Sequence, residues 1–124
     1  MSRRRPDLWR HVSFASLALR DALGVRPSRN SDDEHLRATM AWLCRAHDVC
    51  GGRGVSSGYS WLIGWQEPYP ETTGYIIPTF LDCAELTGQP EFVDRARRMA
   101  GWEIEIQRPD GGVRGGIGVN DYPI

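Results

Sequence analysis

Residues 61–88 read Trp61-Leu-Ile-Gly-Trp65-Gln-Glu67-Pro-Tyr69-Pro-Glu71-Thr-Thr-Gly-Tyr75-Ile-Ile-Pro78-Thr-Phe80-Leu-Asp-Cys83-Ala-Glu-Leu-Thr-Gly88. The stretch begins with rings, prolines and two carboxylates and ends in helical periodicity. Ile76, Ile77, Phe80, Leu81, Ala84 and Leu86 recur at helical spacing and predict a helix over 73–87. Thr72 or Thr73 can cap its first turn, Pro78 fits only near its start, and Gly88 suits a left-handed stop. Aromatic and acidic groups therefore gather where free N–H donors and the helix dipole offer partial positive charge. A binding site is expected here.

Working outward, Thr87-Gly88-Gln89 is a tight corner, and Pro90 stands at the first position of another helix. Phe92, Ala96, Met99, Trp102 or Glu103, and Ile106 form the apolar stripe of that helix. The short corner predicts an antiparallel pair. Arg108-Pro-Asp110-Gly-Gly112 is then a turn, followed by a second glycine tract and at most a short extended piece near Val113. Upstream, Ser31-Asp-Asp-Glu34 is a capping box opening a helix over 32–47, with Leu36, Met40 and Leu43 on its stripe. Between the two regions, residues 50–58 hold four glycines and read as a loop. A phosphate cradle there lacks both the Walker lysine and the dinucleotide spacing. A first helix over 7–23 places Leu8, Trp9, Val12, Ala15, Leu19, Ala22 and Leu23 mostly three or four apart, and Gly24 ends it.

The chain has 124 residues and a net charge of −1. That length suits one domain with a modest core, and that charge gives no long-range attraction to nucleic acid. All 15 basic residues are arginine, which reflects coding bias. Arg3-Arg4-Arg5 could be a basic arm for nucleic acid or anionic lipid, but a solvated terminus is the simpler reading. It also stands ahead of an apolar stretch like an export signal, yet Arg20 and Asp21 interrupt that stretch and no cleavage site follows. No apolar run is long enough for a membrane span. Three cysteines at unequal spacing match neither a zinc set nor a disulfide framework. The expectation is a cytoplasmic protein with no metal and no cofactor.

Two helix-plus-glycine units repeat at an offset of about 58 to 60 residues: Met40-Ala-Trp42 through Gly54-Val-Ser-Ser-Gly58, and Met99-Ala-Gly-Trp102 through Gly112-Val-Arg-Gly-Gly116. A period of that size fits stacked α-hairpins.

Several segments carry a resemblance. They are Ala41-Trp-Leu43, Ala46-His-Asp48, Gly54-Val-Ser-Ser-Gly-Tyr-Ser60, Tyr69-Pro-Glu-Thr-Thr-Gly-Tyr75 with its continuation to Thr79, Leu86-Thr-Gly88, Arg97-Arg-Met-Ala100 and Gln107-Arg-Pro-Asp-Gly-Gly112. Together, over about residues 36–118, they resemble the N-terminal part of bacterial α/α-toroid proteins associated with exopolysaccharide and cell-surface sugar pathways. The wider group includes six-hairpin glycosidases, polysaccharide lyases, uronyl epimerases and terpene cyclases. The resemblance implies an all-α fold, antiparallel α-hairpins of a toroid of about twelve helices around a cleft. Only four helices are present, so the toroid is expected to be incomplete and the chain a fragment. An N-terminal helix and connector (1–30) would precede two partial hairpins (31–124). Exposed toroid faces would favour self-association.

The implied function is action on, or binding of, a surface polysaccharide. Glu71 and Asp110 are the catalytic candidates, and Tyr59, Trp65, Tyr69 and Tyr75 the rings that would stack on a carbohydrate ligand. Trp61 is a further ring of this kind. Each has a plainer alternative. Glu71 can cap its helix, where backbone donors favour the ionised form that makes a poor general acid. Asp110 can serve a turn, and the rings can close a core. Glu67 and Glu71 are a conceivable glycosidase pair, but two prolines leave their separation unfixed. His47 could carry a proton, or simply sit charged at a helix C-terminus. The competing readings are a non-catalytic binding or scaffold protein and an inactive truncated product.

Overall fold

The computed structural model describes the backbone of residues 8–26 and 28–120, and side chains from Phe14 onward. Arg3-Arg4-Arg5, the side chains of Leu8, Trp9 and Val12, and the final Asp121-Tyr-Pro-Ile124 lie outside the described residues. Among the described residues there are four helices: α1 (Leu8–Ala22), α2 (Asp32–Asp48), α3 (Pro70–Thr87) and α4 (Pro90–Glu105). Between α2 and α3 stand two strands, β1 (Tyr59–Ser60) and β2 (Gly64–Trp65), paired antiparallel with Tyr59 opposite Trp65.

This overturns the all-α reading as incomplete toroid hairpins. The described residues build four helices plus a small two-stranded antiparallel sheet, and the sheet occupies the return that a stacked α-hairpin would need. The physical reason lies in residues 54–69, whose glycines and prolines cannot propagate a helix but can turn and pair. Ser57 N–H donates to Glu67 O, Gln66 N–H to Gly58 O, and Tyr69 N–H to Val55 O, each at 3.0 Å. A bridge between Ser56 and Pro68 completes a ladder that reaches well beyond the two named strands. The segment expected as a loop is therefore a hairpin.

α2 starts on its capping box. Glu34 N–H donates to Ser31 Oγ at 3.3 Å, and Ser31 N–H returns to the Glu34 carboxylate at 2.8 Å. α3 begins at Pro70, three residues before the expected start, because Tyr69 already has the extended backbone of an N-cap and proline is favoured at the first helical position. Thr72 and Thr73 are thus inside the helix rather than caps. Thr73 is fully buried, donates from Oγ1 to Tyr69 O and accepts from Val55 N–H, both at 2.9 Å. The earlier start also leaves Pro78 mid-helix rather than near the beginning, so Gly74 O has no helical donor. Gly88 ends α3 at φ 68°, as the left-handed stop requires.

The core gathers Met40 and Ala46 of α2, Val55 of the hairpin root, Phe80, Cys83 and Ala84 of α3, and Phe92, Ala96 and Met99 of α4. The two-residue corner makes α3 and α4 antiparallel neighbours, and Phe80 and Phe92 meet edge to face with centroids 5.7 Å apart. Arg95 ties α4 to the end of α2. It donates to the Asp48 carboxylate at 2.6 Å and to Cys44 O at 3.3 Å, while Glu91 takes a second pair at 2.8 Å. The Cys44 carbonyl lies in the last turn of α2, where a cation offsets the helix dipole. α1, by contrast, is exposed at every described side chain, from Phe14 to Ala22.

Candidate functional site

The hairpin places a row of rings on one side of the molecule. Tyr59 and Trp65 are cross-strand partners with centroids 5.2 Å apart. Trp61, two residues from Tyr59 and hence on the same side of the strand, meets it edge-on at 5.7 Å. Trp42 leans in from α2, at 4.6 Å from Trp65 and 5.8 Å from Tyr59. Phe14 of α1 closes the row against Trp61 at 5.2 Å. Trp42 is half exposed and Trp61 40 % exposed, so the row is a surface rather than a core. Alternation in Tyr59-Ser-Trp61 and the return to Trp65 were available as a hairpin signal. Trp42 had none, since it reads equally well as one more residue of a helix stripe.

Trp65 also lines a cleft of about 610 Å³, with Arg53, Gln66, Glu67, Trp102, Ile106 and Val119 among its other walls. Two features shape the cleft. Gly54 lies under the Trp102 ring so closely that a Cβ there would be 2.3 Å from the indole, which only glycine permits. Val119 at its edge holds φ 62°, a left-handed backbone that costs a β-branched residue about 1–3 kcal/mol. Neighbouring Gly118 donates to Pro68 O at 2.9 Å, tying this segment to the hairpin root. Among the described residues, Glu67 is the one carboxylate of the cleft lining and Arg53 the one cation, itself paired with Glu105 at 2.8 Å. Cys50, also at the wall, has its thiol pushed up by burial and then by the Glu67 carboxylate, which keeps it protonated and unreactive.

Of the residues singled out from the sequence, Tyr59, Trp61 and Trp65 are brought together, and Trp65 and Glu67 reach the cleft. Tyr69 donates its hydroxyl to Glu71 at 2.7 Å in the first turn of α3, outside the cleft lining. Tyr75 stands on α3, 75 % exposed. Asp110 accepts from Gly112 N–H at 3.1 Å and pairs with Arg108 at 3.3 Å, both within its turn. His47 is not a charged helix terminus. It is fully buried, and burial, with Arg95 and Arg98 nearby, holds it below the usual histidine range and neutral. Its Nδ1 faces Arg95 at 3.2 Å, which puts the proton on Nε2, an atom with no well-formed hydrogen bond.

One carboxyl went unnoticed as a titrating group in the sequence. Glu103 on α4 has a buried Oε1 with no partner, and burial raises it to about 7. Its neighbours in sequence, Trp102 and Ile104, gave no charge pattern that would have revealed this. Comparison of the chain with protein-family models, with curated proteins and with solved structures finds no match.

Proposed function

We propose that this protein binds a saccharide without transforming it, seating sugar rings on Trp65 and Trp42 while Gln66, Glu67 and Arg53 meet hydroxyls in the adjoining cleft. The supporting observation is that Trp65 belongs at once to a partly exposed aromatic row and to a polar-lined cleft. Pyranose rings offer both an apolar C–H face and a rim of hydroxyls, the pairing such a junction accommodates. Binding is favoured over catalysis because hydrolysis of a glycosidic bond uses two carboxyl groups flanking the bond. Among the described residues of the cleft lining, Glu67 has no second carboxylate beside it. Glu71 and Asp110 are engaged by Tyr69 and by Arg108 with Gly112. No described helix is long and apolar enough to cross a membrane. The free thiols of Cys44, Cys50 and Cys83 favour a reducing, cytoplasmic setting.

The test is titration calorimetry against a panel of neutral and acidic oligosaccharides. A ligand from the panel should bind, and Trp65→Ala should weaken it about 10-fold or more while Glu71→Gln leaves affinity unchanged. Failure of every saccharide, or affinity that survives Trp65→Ala, would remove this reading. Turnover abolished by Glu67→Gln would replace it with an enzymatic one.

A further inference from the structure

We infer, resting on the saccharide reading, that the cleft selects an amino sugar, a 2-amino-2-deoxy hexose unit whose protonated amine is received by Glu67 while its ring lies on Trp65. The charges of the cleft decide this. Arg53, the one cation among the described lining residues, is already matched by Glu105 at 2.8 Å. The Glu67 carboxylate has no ion pair among the described residues, so one negative charge at the cleft is left uncompensated. That charge acts within the cleft, because after burial it is the Glu67 carboxylate that raises the Cys50 thiol at the wall.

Glu67 is also placed for this role by the hairpin. The ladder continues without a bulge from Tyr59 opposite Trp65 to Ser56 opposite Pro68. Trp65 and Glu67, two residues apart in extended chain, therefore stand on the same side of it. The stem of Glu67 runs beside Gly118, where an added Cβ would lie 3.7 Å from Glu67 Cβ and 3.8 Å from Cγ. Hydrogen-bonding capacity points the same way. Gln66 donates from Nε2 to Gly64 O at 2.9 Å, which leaves Oε1, an acceptor, as the amide atom open to a ligand. With Arg53 engaged, the polar groups left over are acceptors, and an ammonium, with three donors and no acceptor, is their complement. A divalent metal is not, since Ca²⁺ or Mg²⁺ takes about six or more oxygen ligands. Among the described residues no group of three His, Cys, Asp or Glu could hold a metal ion. The indoles of Trp65 and Trp102 on the cleft walls also attract an organic cation through their faces. A uronate would bring like charge against Glu67, and an N-acetyl group would cancel the charge that Glu67 can meet.

The experiment is titration calorimetry of the full chain, at mildly acidic pH, with a β-1,4-linked glucosamine oligomer, its fully N-acetylated counterpart and a galacturonate oligomer of equal length. The glucosamine oligomer should bind about 10-fold or more tightly than the N-acetylated one, and the galacturonate oligomer most weakly. Glu67→Gln should bring the first two to within about 2-fold of each other, and added salt should narrow the gap in the unmodified chain. Glu105→Gln, which leaves Arg53 unmatched, should also reduce the preference. Both replaced carboxylates are exposed, and circular dichroism verifies that the variants are folded. Equal or tighter binding of the N-acetylated or galacturonate oligomer would overturn the inference and leave the saccharide reading standing. So would a preference for the amine that survives Glu67→Gln. Failure of all three oligomers, together with the neutral panel, would remove both.

Discussion

Replacing Glu103 by glutamine should stabilise the protein at alkaline pH and do nothing at acid pH. In the folded chain the Glu103 carboxyl is raised from 4.5 to about 7, with burial as the cause and no partner for Oε1. A folded-state value above the unfolded one means that the native state holds its proton more tightly. Between about 4.5 and about 7 the native protein therefore binds more protons than the unfolded chain, and stability falls as the pH rises through that window. The contribution is favourable below 4.5 and is fully lost above about 7. At about 1.4 kcal/mol per tenfold change the displacement corresponds to roughly 3 kcal/mol. Because the residue is only partly buried, water screens the ionised group and reduces this to about 1–2 kcal/mol. Glutamine keeps the shape without the charge. Urea unfolding followed by far-ultraviolet circular dichroism, with wild type and Glu103→Gln compared at each pH, cancels the titration of all other groups. The variant should be more stable by about 1–2 kcal/mol at pH 8, with the gap closing by pH 4.5. A gap that is absent at pH 8, or that has the same size at both pH values, would refute the reasoning.

Two other substitutions probe the frame that holds the site. Gly54→Ala drives a methyl group into the Trp102 indole. It should cost about 2–3 kcal/mol by thermal or urea unfolding, and less than the sum of the two losses when combined with Trp102→Ala, because the clash is then gone. Arg95→Met removes the link from α4 to Asp48 and Cys44 O of α2 and the pair with Glu91 within α4, and should cost about 1–3 kcal/mol at pH 7, since both carboxylates are more than half exposed and can recover water. The Asp48 carboxyl is held below its ordinary 3.8, first by its hydrogen bond from Arg95. A depressed carboxylate stabilises above its unfolded value and loses that contribution as the pH falls through the folded one. The difference between wild type and Arg95→Met should therefore narrow below about pH 3.8.

Helices were legible where local chemistry is decisive. The capping box at Ser31 and Glu34, Gly88 as a left-handed stop and Pro90 at a first turn each act within a few residues, so their spacing reveals them. The hairpin was hidden because its strands are short and because glycine density in residues 50–58 argues for irregular chain, whereas here it admits turns at Gly51, Gly52 and Gly64, all at positive φ. The start of α3 was misread for a related reason. Thr73 resembles a cap in sequence, but its hydroxyl is taken by the hairpin, and only the folded chain reveals that Val55 N–H requires it. Trp42 and Trp65, distant in sequence, meet only because the hairpin folds back over α2. Burial of Glu103 and His47 depends equally on tertiary packing. The carbohydrate reading rests on the rings and on the resemblance, and the cleft proposed for it draws on residues spread from Val49 to Val119.

The hairpin is anchored at one end and exposed at the other, and Trp65 stands between the two. At the root, Tyr69 N–H donates to Val55 O, the Thr73 hydroxyl of α3 accepts from Val55 N–H, and the Ser56 hydroxyl donates to Gln66 O at 2.8 Å. Trp65 therefore stands on a support fixed to α3 and to the core through Val55, the condition under which a ring can be held ready for a ligand at small entropic cost. At the tip, the internal bonds to Ser60 shape the turn, but Leu62 and Ile63 remain exposed. Removing apolar bulk at the tip should leave the root's hydrogen bonds intact, and replacing Trp65 should leave the tip turn intact. Saccharide affinity should therefore follow Trp65 and ignore Leu62, which is not in the cleft lining. Loss of saccharide affinity in Leu62→Ser, measured by the same calorimetry, would mean that the hairpin behaves as one unit and that Trp65 is not held independently of the tip.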